Sequence, residues 1–302
     1  MNKLQALFLE TRAPFLTVTI IPVLLGTAMA LKTGVPFNWQ IFLAIMFGFV
    51  FLHLGTNIIN DYFDDINGTD RINKEFVFPF TGGSRLIQMD FLKPKEVLLE
   101  SVIFFILGSI FLLYIFYLKG FYILFLLFIS LIAGIFYTAP PFKWAHRGLG
   151  EFFIFLGFGP IMVTGAYYAL SGNLNVQIFL VSIPIGLLAS SIIDINEFPD
   201  YNADKVTGKR NIIVRIGKEK GVIFYMITGI LSYFIIILLS ILNIMPFWSI
   251  ISIFGFLFYL KAILILNKNY NNSLNLVAAC KLTIFSHLVT GLILIIVIFM
   301  SK

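Results

Sequence analysis

Two short acidic motifs contain the residues of this chain whose types and spacing best suit chemistry. The first runs from Asn60 to Asp64 and the second from Asn196 to Asp200. Both read asparagine, acid, aromatic residue, any residue, aspartate, and 136 positions separate the matching residues of the two motifs. On a helix, residues four apart share one face, so each motif would point its oxygen atoms in one direction.

Clusters of carboxylate and amide oxygens suit Mg²⁺, which is usually held by one or two carboxylates and completes its shell with water and substrate phosphate. Two such clusters predict two ions around one diphosphate. The first cluster consists of Asn60 and Asp64, and the second of Asn196, Asp200 and Asp204.

Two other interpretations of the acids stay open at this point. A second register with the same spacing exists at Asn57, Asp61 and Asp65, but Asn60 and Asp64 match the copy near residue 200. The acids could also be ordinary loop residues that balance neighbouring bases. The match between two distant segments favours a site over that interpretation.

Basic residues gather near both motifs. The segment from Tyr137 to Glu151 carries Lys143 and Arg147 beside a pair of prolines, and Lys209 and Arg210 follow the second motif. The four bases are candidates for binding phosphate oxygens. A simple hinge explains the prolines and glycines of this segment, but it does not explain why charges collect there.

The composition shows which elements must position these residues. Of 302 residues, 59% are hydrophobic and 12% are charged, with a mean hydropathy of +0.97. A soluble domain is closer to 45–50% apolar and about 25% charged. A single cysteine, Cys280, excludes a disulfide scaffold, and the composition also excludes a disordered chain and a nucleic-acid-binding domain.

The apolar stretches predict an all-α integral membrane protein in which residues 1–302 form a single domain. A helix needs roughly 20 apolar residues to cross a bilayer. Division of the longest stretches at their polar breaks predicts nine transmembrane helices in one bundle, at about 13–32, 38–60, 98–118, 120–138, 151–170, 176–196, 221–242, 246–266 and 277–300. The repeated motif indicates a weak internal repeat.

The charges lie on one side of this arrangement. With nine spans, 18 of the 21 basic residues fall on the side of the N-terminus, and only Lys32, Lys119 and Lys302 fall on the other. Positive charge marks the cytoplasmic side. All 15 acids lie on that side too, which predicts a cytoplasmic active site in a multi-pass protein of the plasma membrane.

The motifs resemble those of the UbiA superfamily of intramembrane aromatic prenyltransferases. The first family motif, Asn-Asp-x-x-Asp, matches Asn60, Asp61 and Asp64, and the second, Asp-x-x-x-Asp, matches Asp200 and Asp204. Further segments are similar to the 1,4-dihydroxy-2-naphthoate branch: Gly68 with Asp70, 82–85, 137–141, 148–151, 208–210, 214–217 and 12–14. The similarity covers about residues 11–217, and the last three helices match in hydropathy only.

The resemblance implies a Mg²⁺-dependent transfer of a polyprenyl group from its diphosphate to an aromatic acceptor in menaquinone biosynthesis, with release of diphosphate and CO₂. The metal ligands would be Asn60, Asp64, Asn196, Asp200 and Asp204. The substrate-binding residues would be Arg12, Tyr137, Lys143, Arg147, Lys209 and Arg210. The residues that orient or deprotonate the acceptor would be Asp61, Asp70 and Asp194.

Other functions remain as alternatives. The acceptor could be 4-hydroxybenzoate, homogentisate or geranylgeranylglyceryl phosphate. An intramembrane phosphotransferase also uses aspartates and Mg²⁺, but in one compact motif. A divalent-cation transporter needs ionisable residues along its whole path, and the far half of the predicted membrane region has no acid. Besides its substrates and the lipid bilayer, no nucleic acid and no obligate protein partner is indicated.

Overall fold

The computed structural model describes residues 2–301, without the side chains at positions 13 and 14, and in this range the chain forms helices and no strand. Lys302, assigned above to the far side of the membrane, lies outside the described residues. The helices are α1 (Lys3–Glu10), α2 (Thr17–Lys32), α3 (Trp39–Ile66), α4 (Thr69–Ile72), α5 (Pro94–Lys119), α6 (Phe121–Ile135), α7 (Gly150–Ser171), α8 (Val176–Thr207), α9 (Ile212–Ile216), α10 (Lys218–Ile241), α11 (Phe247–Asn269) and α12 (Ser273–Met300).

Each of the nine predicted segments is helical, and seven of the described helices are long and apolar enough to cross a membrane: α3, α5, α7, α8, α10, α11 and α12. The two shorter ones, α2 and α6, have 16 and 15 residues. At 1.5 Å per residue they are about 24 Å long, against about 30 Å of bilayer hydrocarbon. A 3₁₀ turn at Ala13–Leu16 precedes α2 and extends it.

The helices that carry the acidic motifs are longer than predicted. We expected them to end near residues 60 and 196, but α3 continues to Ile66 and α8 to Thr207, with Pro199 inside α8. Helix α8 ends at Gly208, which has φ +78°, a left-handed conformation that suits glycine. After α3 the chain reaches the same conformation at Gly68, with φ +82°, two residues beyond Ile66. Both motifs therefore lie on regular helix, and the residues four apart in each motif share one helix face.

Small residues allow the helices to approach closely in the interior. A Cβ atom on Gly26 of α2 would lie 2.3 Å from the carbonyl oxygen of Val163 in α7. A Cβ atom on Gly186 of α8 would lie 2.6 Å from the carbonyl oxygen of Phe155, also in α7. Membrane helices commonly pack through such residues because the lipid offers no hydrophobic force to hold them together. Helix α8 is thus held tightly against α7, which helps to fix the position of the second motif.

Candidate active site

A cavity lies at the end of the bundle where α3 and α8 finish, and both acidic motifs line it. Asn60 and Asp64 come from α3, and Asn196, Asp200 and Asp204 come from α8. The structure thus brings the five predicted metal ligands to one cavity.

A partly buried lysine, Lys209, whose side chain is 13% exposed, joins the two motifs. Asp64 Oδ2 accepts hydrogen bonds from Lys209 Nζ at 2.9 Å and from Asn60 Nδ2 at 3.3 Å. The same Nζ lies 3.8 Å from Asp204 Oδ1. Burial by itself would lower the pKa of Lys209, but the carboxylates of Asp204 and Asp64 outweigh it and raise the pKa well above its ordinary value. Lys209 is therefore a fixed positive charge between α3 and α8.

Asp200 faces a different set of partners. Its Oδ1 accepts a hydrogen bond from Asn73 Nδ2 at 2.6 Å, and its Oδ2 accepts one from the Gly82 amide at 3.4 Å. Both partners belong to the long connection between α4 and α5. Asp200 therefore ties this connection to α8 and closes one side of the cavity.

A second polar group lies beside the first motif. Arg12 lines the cavity, and its Nη1 is 3.6 Å from Asp61 Oδ1. The Ser84 amide donates to Asp61 Oδ2 at 2.7 Å, and the Ser84 hydroxyl donates to Glu10. Burial, followed by the nearby charge of Asp61, raises the pKa of the Glu10 carboxyl well above its usual range. Asp61 therefore holds Arg12 and the connection between α4 and α5 in place. Asp61 does not itself line the cavity.

The alternative register of Asn57, Asp61 and Asp65 does not form one oxygen cluster. Asp65 is bound by Arg71 Nε and Nη2, each at 2.9 Å, and by Gln88 Nε2 at 3.1 Å. Its carboxylate is therefore already occupied by partners that do not line the cavity.

The three candidates for contact with the acceptor are Asp61, Asp70 and Asp194, and among them Asp70 alone lines the cavity. Asp70 lines the cavity, and burial together with the carboxylates of Asp64 and Asp61 raises its pKa well above the ordinary value. A Cβ atom on Gly83, which has φ +70°, would lie 2.7 Å from Asp70 Oδ2, so only glycine fits there. Asp194, by contrast, is fully buried within α8 and does not line the cavity.

Three predicted phosphate-binding residues also lie away from the cavity lining. Lys143 Nζ donates to Asn67 Oδ1 at 2.9 Å, and Arg147 Nη2 donates to the Pro141 carbonyl at 3.0 Å. The side chains of Arg147 and Arg210 are exposed. The 3₁₀ turn Trp144–Arg147 and the loop that follows α8 direct these charges outward. The other three predicted substrate-binding residues, Arg12, Tyr137 and Lys209, line the cavity.

Several residues that line or support the cavity are missing from the prediction. Asn211 Nδ2 donates to Asp204 Oδ2 at 2.8 Å while its own Oδ1 caps α9 at the Val214 amide. Glu197 lines the cavity beside Asn196. Its position in the repeated motif was a sequence signal that pointed to the site. Asn73 and Asn211 carried no sequence signal, because an isolated asparagine in a loop fits a turn equally well.

The far end of the cavity is apolar. Its lining there includes Phe15, Val18, Ile154, Phe158 and Ile192. His53 lies at this end, with its ring 4.7 Å from that of Phe158 and its Nδ1 2.7 Å from Thr19 Oγ1. A cavity with acids and a lysine at one end and hydrocarbon at the other suits an elongated amphipathic ligand.

The unpartnered oxygens of the cavity fit a divalent cation. Five buried oxygens of the lining residues have no hydrogen-bond partner: Asn60 Oδ1, Asp64 Oδ1, Asn196 Oδ1, Glu197 Oε2 and Asp204 Oδ1. These are the donor types that Mg²⁺ prefers. Within residues 2–301 no three acids, histidines or cysteines stand close enough to hold an ion by themselves.

The comparison with known families agrees with this geometry. A profile described as the UbiA prenyltransferase family matches residues 19–299. The chain belongs to the UbiA prenyltransferase family. The UbiA match includes helices α10 to α12, which carry none of the family motifs.

Among curated UbiA relatives, a 1,4-dihydroxy-2-naphthoate octaprenyltransferase of Bacillus subtilis is 28% identical over 218 residues, which cover 72% of this chain and 68% of the relative. Two solved structures share the fold. One concerns digeranylgeranylglyceryl phosphate synthase, with a TM-score of 0.61 and 24% identity over 99% of this chain and all of that chain. The other is a UbiA homologue from Archaeoglobus fulgidus bound to GPP and Mg²⁺, with a TM-score of 0.57 and 19% identity over 94% of this chain and 100% of that one.

Proposed function

We propose that this chain transfers a prenyl group from a polyprenyl diphosphate to 1,4-dihydroxy-2-naphthoate, with release of diphosphate and CO₂. The observation that carries the proposal is the cavity itself, in which two acid–amide motifs and Lys209 face each other at one end and an apolar wall forms the other. The dihydroxynaphthoate relative supports the choice of acceptor.

Mg²⁺ is the proposed cofactor, held by Asn60, Asp64, Asn196, Asp200 and Asp204, and a homologue bound to GPP and Mg²⁺ supports this choice. Bound there, the cation would neutralise charge that develops on the diphosphate as it leaves. Lys209 supplies a permanent positive charge between the motifs. Because it is already positioned, it stabilises the leaving oxygen without reorganisation.

The reaction breaks the bond between the allylic carbon and the diphosphate oxygen, and the electron pair leaves with the diphosphate. The electron-rich aromatic carbon then forms the new carbon–carbon bond. The carboxylate on that carbon leaves as CO₂, and its bonding electrons restore the aromatic ring. Asp70 is the acid placed to accept a hydrogen bond from an acceptor hydroxyl, since it lines the cavity and Asp194 does not.

The arrangement in the membrane is part of the same proposal. Residues 1–302 form a single domain, and α2 and α6 join the seven longer helices to make nine crossings with a weak internal repeat. The N-terminus and the cavity lie on the cytoplasmic side of the plasma membrane. This orientation is supported by the concentration of 18 of 21 basic residues at the cavity end, since positive charge is enriched on the cytoplasmic side.

A product assay by mass spectrometry tests the function. Purified protein in lipid nanodiscs receives Mg²⁺, a polyprenyl diphosphate and one acceptor: 1,4-dihydroxy-2-naphthoate, 4-hydroxybenzoate, homogentisate or geranylgeranylglyceryl phosphate. We expect the mass of demethylmenaquinol, or of demethylmenaquinone after oxidation of the quinol by air, with the first acceptor only, and its loss with EDTA. A product with another acceptor would overturn the choice of acceptor. Absence of product with all four, together with Mg²⁺ uptake into liposomes, would favour a transporter.

A further inference from the structure

A second pocket adjoins the central cavity. It lies between α1 and the connection from α4 to α5, and its walls are mainly apolar: Phe8, Phe76, Phe78, Pro79, Met89 and Phe91. Arg12, Phe15 and Gly83 belong to the linings of both spaces. The two spaces therefore share one wall.

The two spaces carry opposite charge. The central cavity is lined by five acids and two bases, whereas the second pocket is lined by Arg12 and Arg85 and by no acid. In the central cavity Lys209 is already engaged by two carboxylates. A small organic anion that approaches the site is thus attracted to the second pocket and repelled by the acids of the first.

Both guanidinium groups are held in fixed positions with donors to spare. Arg85 lies over the ring of Phe76 at 4.4 Å and donates one Nη hydrogen to the Asp70 carbonyl. Arg12 lies over Phe15 at 4.8 Å, donates from Nη2 to the Phe80 carbonyl and has its Nη1 3.6 Å from Asp61 Oδ1. A guanidinium offers five N–H donors in a planar fork that matches a carboxylate.

We infer that this second pocket binds the acceptor, an aromatic carboxylate, with its carboxylate at Arg85 and Arg12 and its rings among Phe78, Met89 and Phe91. The inference rests on the proposed function and adds a separate receiving site for the acceptor next to the central cavity. Arg12 then lies at the binding sites of both substrates, whereas Arg85 lies at the acceptor site only.

The test compares Arg85→Gln and Arg85→Lys with the control Lys95→Gln, which removes an exposed charge that lines neither space. The binding probes are 1-hydroxy-2-naphthoate, a fluorescent carboxylate that does not take part in turnover, and 1-naphthol, which lacks the carboxylate. Binding is measured without prenyl diphosphate in phosphatidylcholine nanodiscs. In parallel, KM values for dihydroxynaphthoate and for the prenyl diphosphate are determined.

We expect Arg85→Gln to weaken 1-hydroxy-2-naphthoate binding at least about tenfold, since a hydrogen bond to a charged group is lost, and to raise the KM of the acceptor similarly. The KM of the prenyl diphosphate and the binding of 1-naphthol should stay within about twofold. Arg85→Lys should restore part of the affinity, and Lys95→Gln should change none of these values.

The outcomes separate the two proposals. If product forms normally but Arg85→Gln leaves probe binding and the acceptor KM unchanged, the pocket is not the acceptor site and the proposed function stands. If the probe binds and depends on Arg85 while no prenylated product forms, the pocket stands as an aromatic-carboxylate site and the function falls. Displacement of the probe by phosphatidylglycerol added to the nanodiscs would overturn the inference in favour of a lipid headgroup.

Discussion

The two acidic motifs read alike in sequence but have different surroundings in the folded protein. Asp64 of the first motif contacts the ammonium of Lys209 and the amide of Asn60. Asp200, the matching residue of the second, is held by Asn73 and by the Gly82 amide. The first motif thus faces a cation across the cavity, and the second also anchors the connection that covers it. A shared sequence pattern therefore does not imply equal roles.

The largest expected effect is the loss of turnover on removal of either carboxylate. We expect Asp64→Ala and Asp200→Ala each to reduce kcat by at least about a hundredfold, the scale on which loss of one preorganised electrostatic contact acts. Product formation at saturating Mg²⁺ and substrates measures this. Gel filtration and thermal unfolding provide the folding control. Full activity in either folded variant would remove the two-motif metal site.

Lys209→Gln should show what the cation shared by the two motifs contributes. The substitution leaves Asp64 and Asp204 facing each other without their shared cation, and an uncompensated buried charge typically costs about 3–5 kcal/mol. We expect a lower Tm in EDTA than that of the unaltered protein and a larger rise in Tm on addition of Mg²⁺. Scanning fluorimetry with and without Mg²⁺ measures both, and an equal rise in the two proteins would contradict the bridging role.

A smaller effect is expected for Asn73→Ala, which removes one partner of the second motif only. The net contribution of such a hydrogen bond is about 1 kcal/mol, or more when its acceptor is charged. The cycle of Asn73→Ala, Asp200→Ala and the double variant should be non-additive in unfolding free energy, because the two side chains contact each other. Strict additivity would show that Asp200 does not hold the connection.

The smallest effect on catalysis is expected for Asp65→Asn. Asp65 belongs to the alternative register, and its carboxylate is occupied by Arg71 and Gln88. Turnover should stay within about threefold of the unaltered protein, in contrast with Asp64→Asn at the neighbouring position. Both variants are measured in the same product assay. A loss of activity in Asp65→Asn as large as that in Asp64→Asn would favour the alternative register.

Much of the site could be predicted because helix geometry is local. A spacing of four places Asn60 with Asp64, and Asn196 with Asp200 and Asp204, on common faces wherever the segments are helical. The helix ends were placed too early, because charged residues are common beyond a membrane span. Here Asp64 and Asp204 stay on the helix, where Lys209 and Asn211 pair with them.

The bases and the remaining acids show where prediction from sequence stops. Lys209 and Arg210 are neighbours of the same charge, yet the first lies between two carboxylates and is partly buried, and the second is exposed. Asp70 and Asp194 could not be ranked by residue type. The direction of a loop side chain depends on backbone turns and on partners distant in sequence, such as Asn73 for Asp200.

By itself, the sequence determined the class of protein, the helical segments and the two motifs, because composition and helical periodicity are properties of short stretches. It also predicted that the motifs suit a cation that prefers oxygen ligands. The tertiary structure alone decided that Asp64 and Asp204 share one lysine and that Asp200 holds a distant connection. It also decided that the acid-lined cavity adjoins a pocket lined by Arg12 and Arg85. These features depend on segments far apart in the chain that meet only when the helices pack.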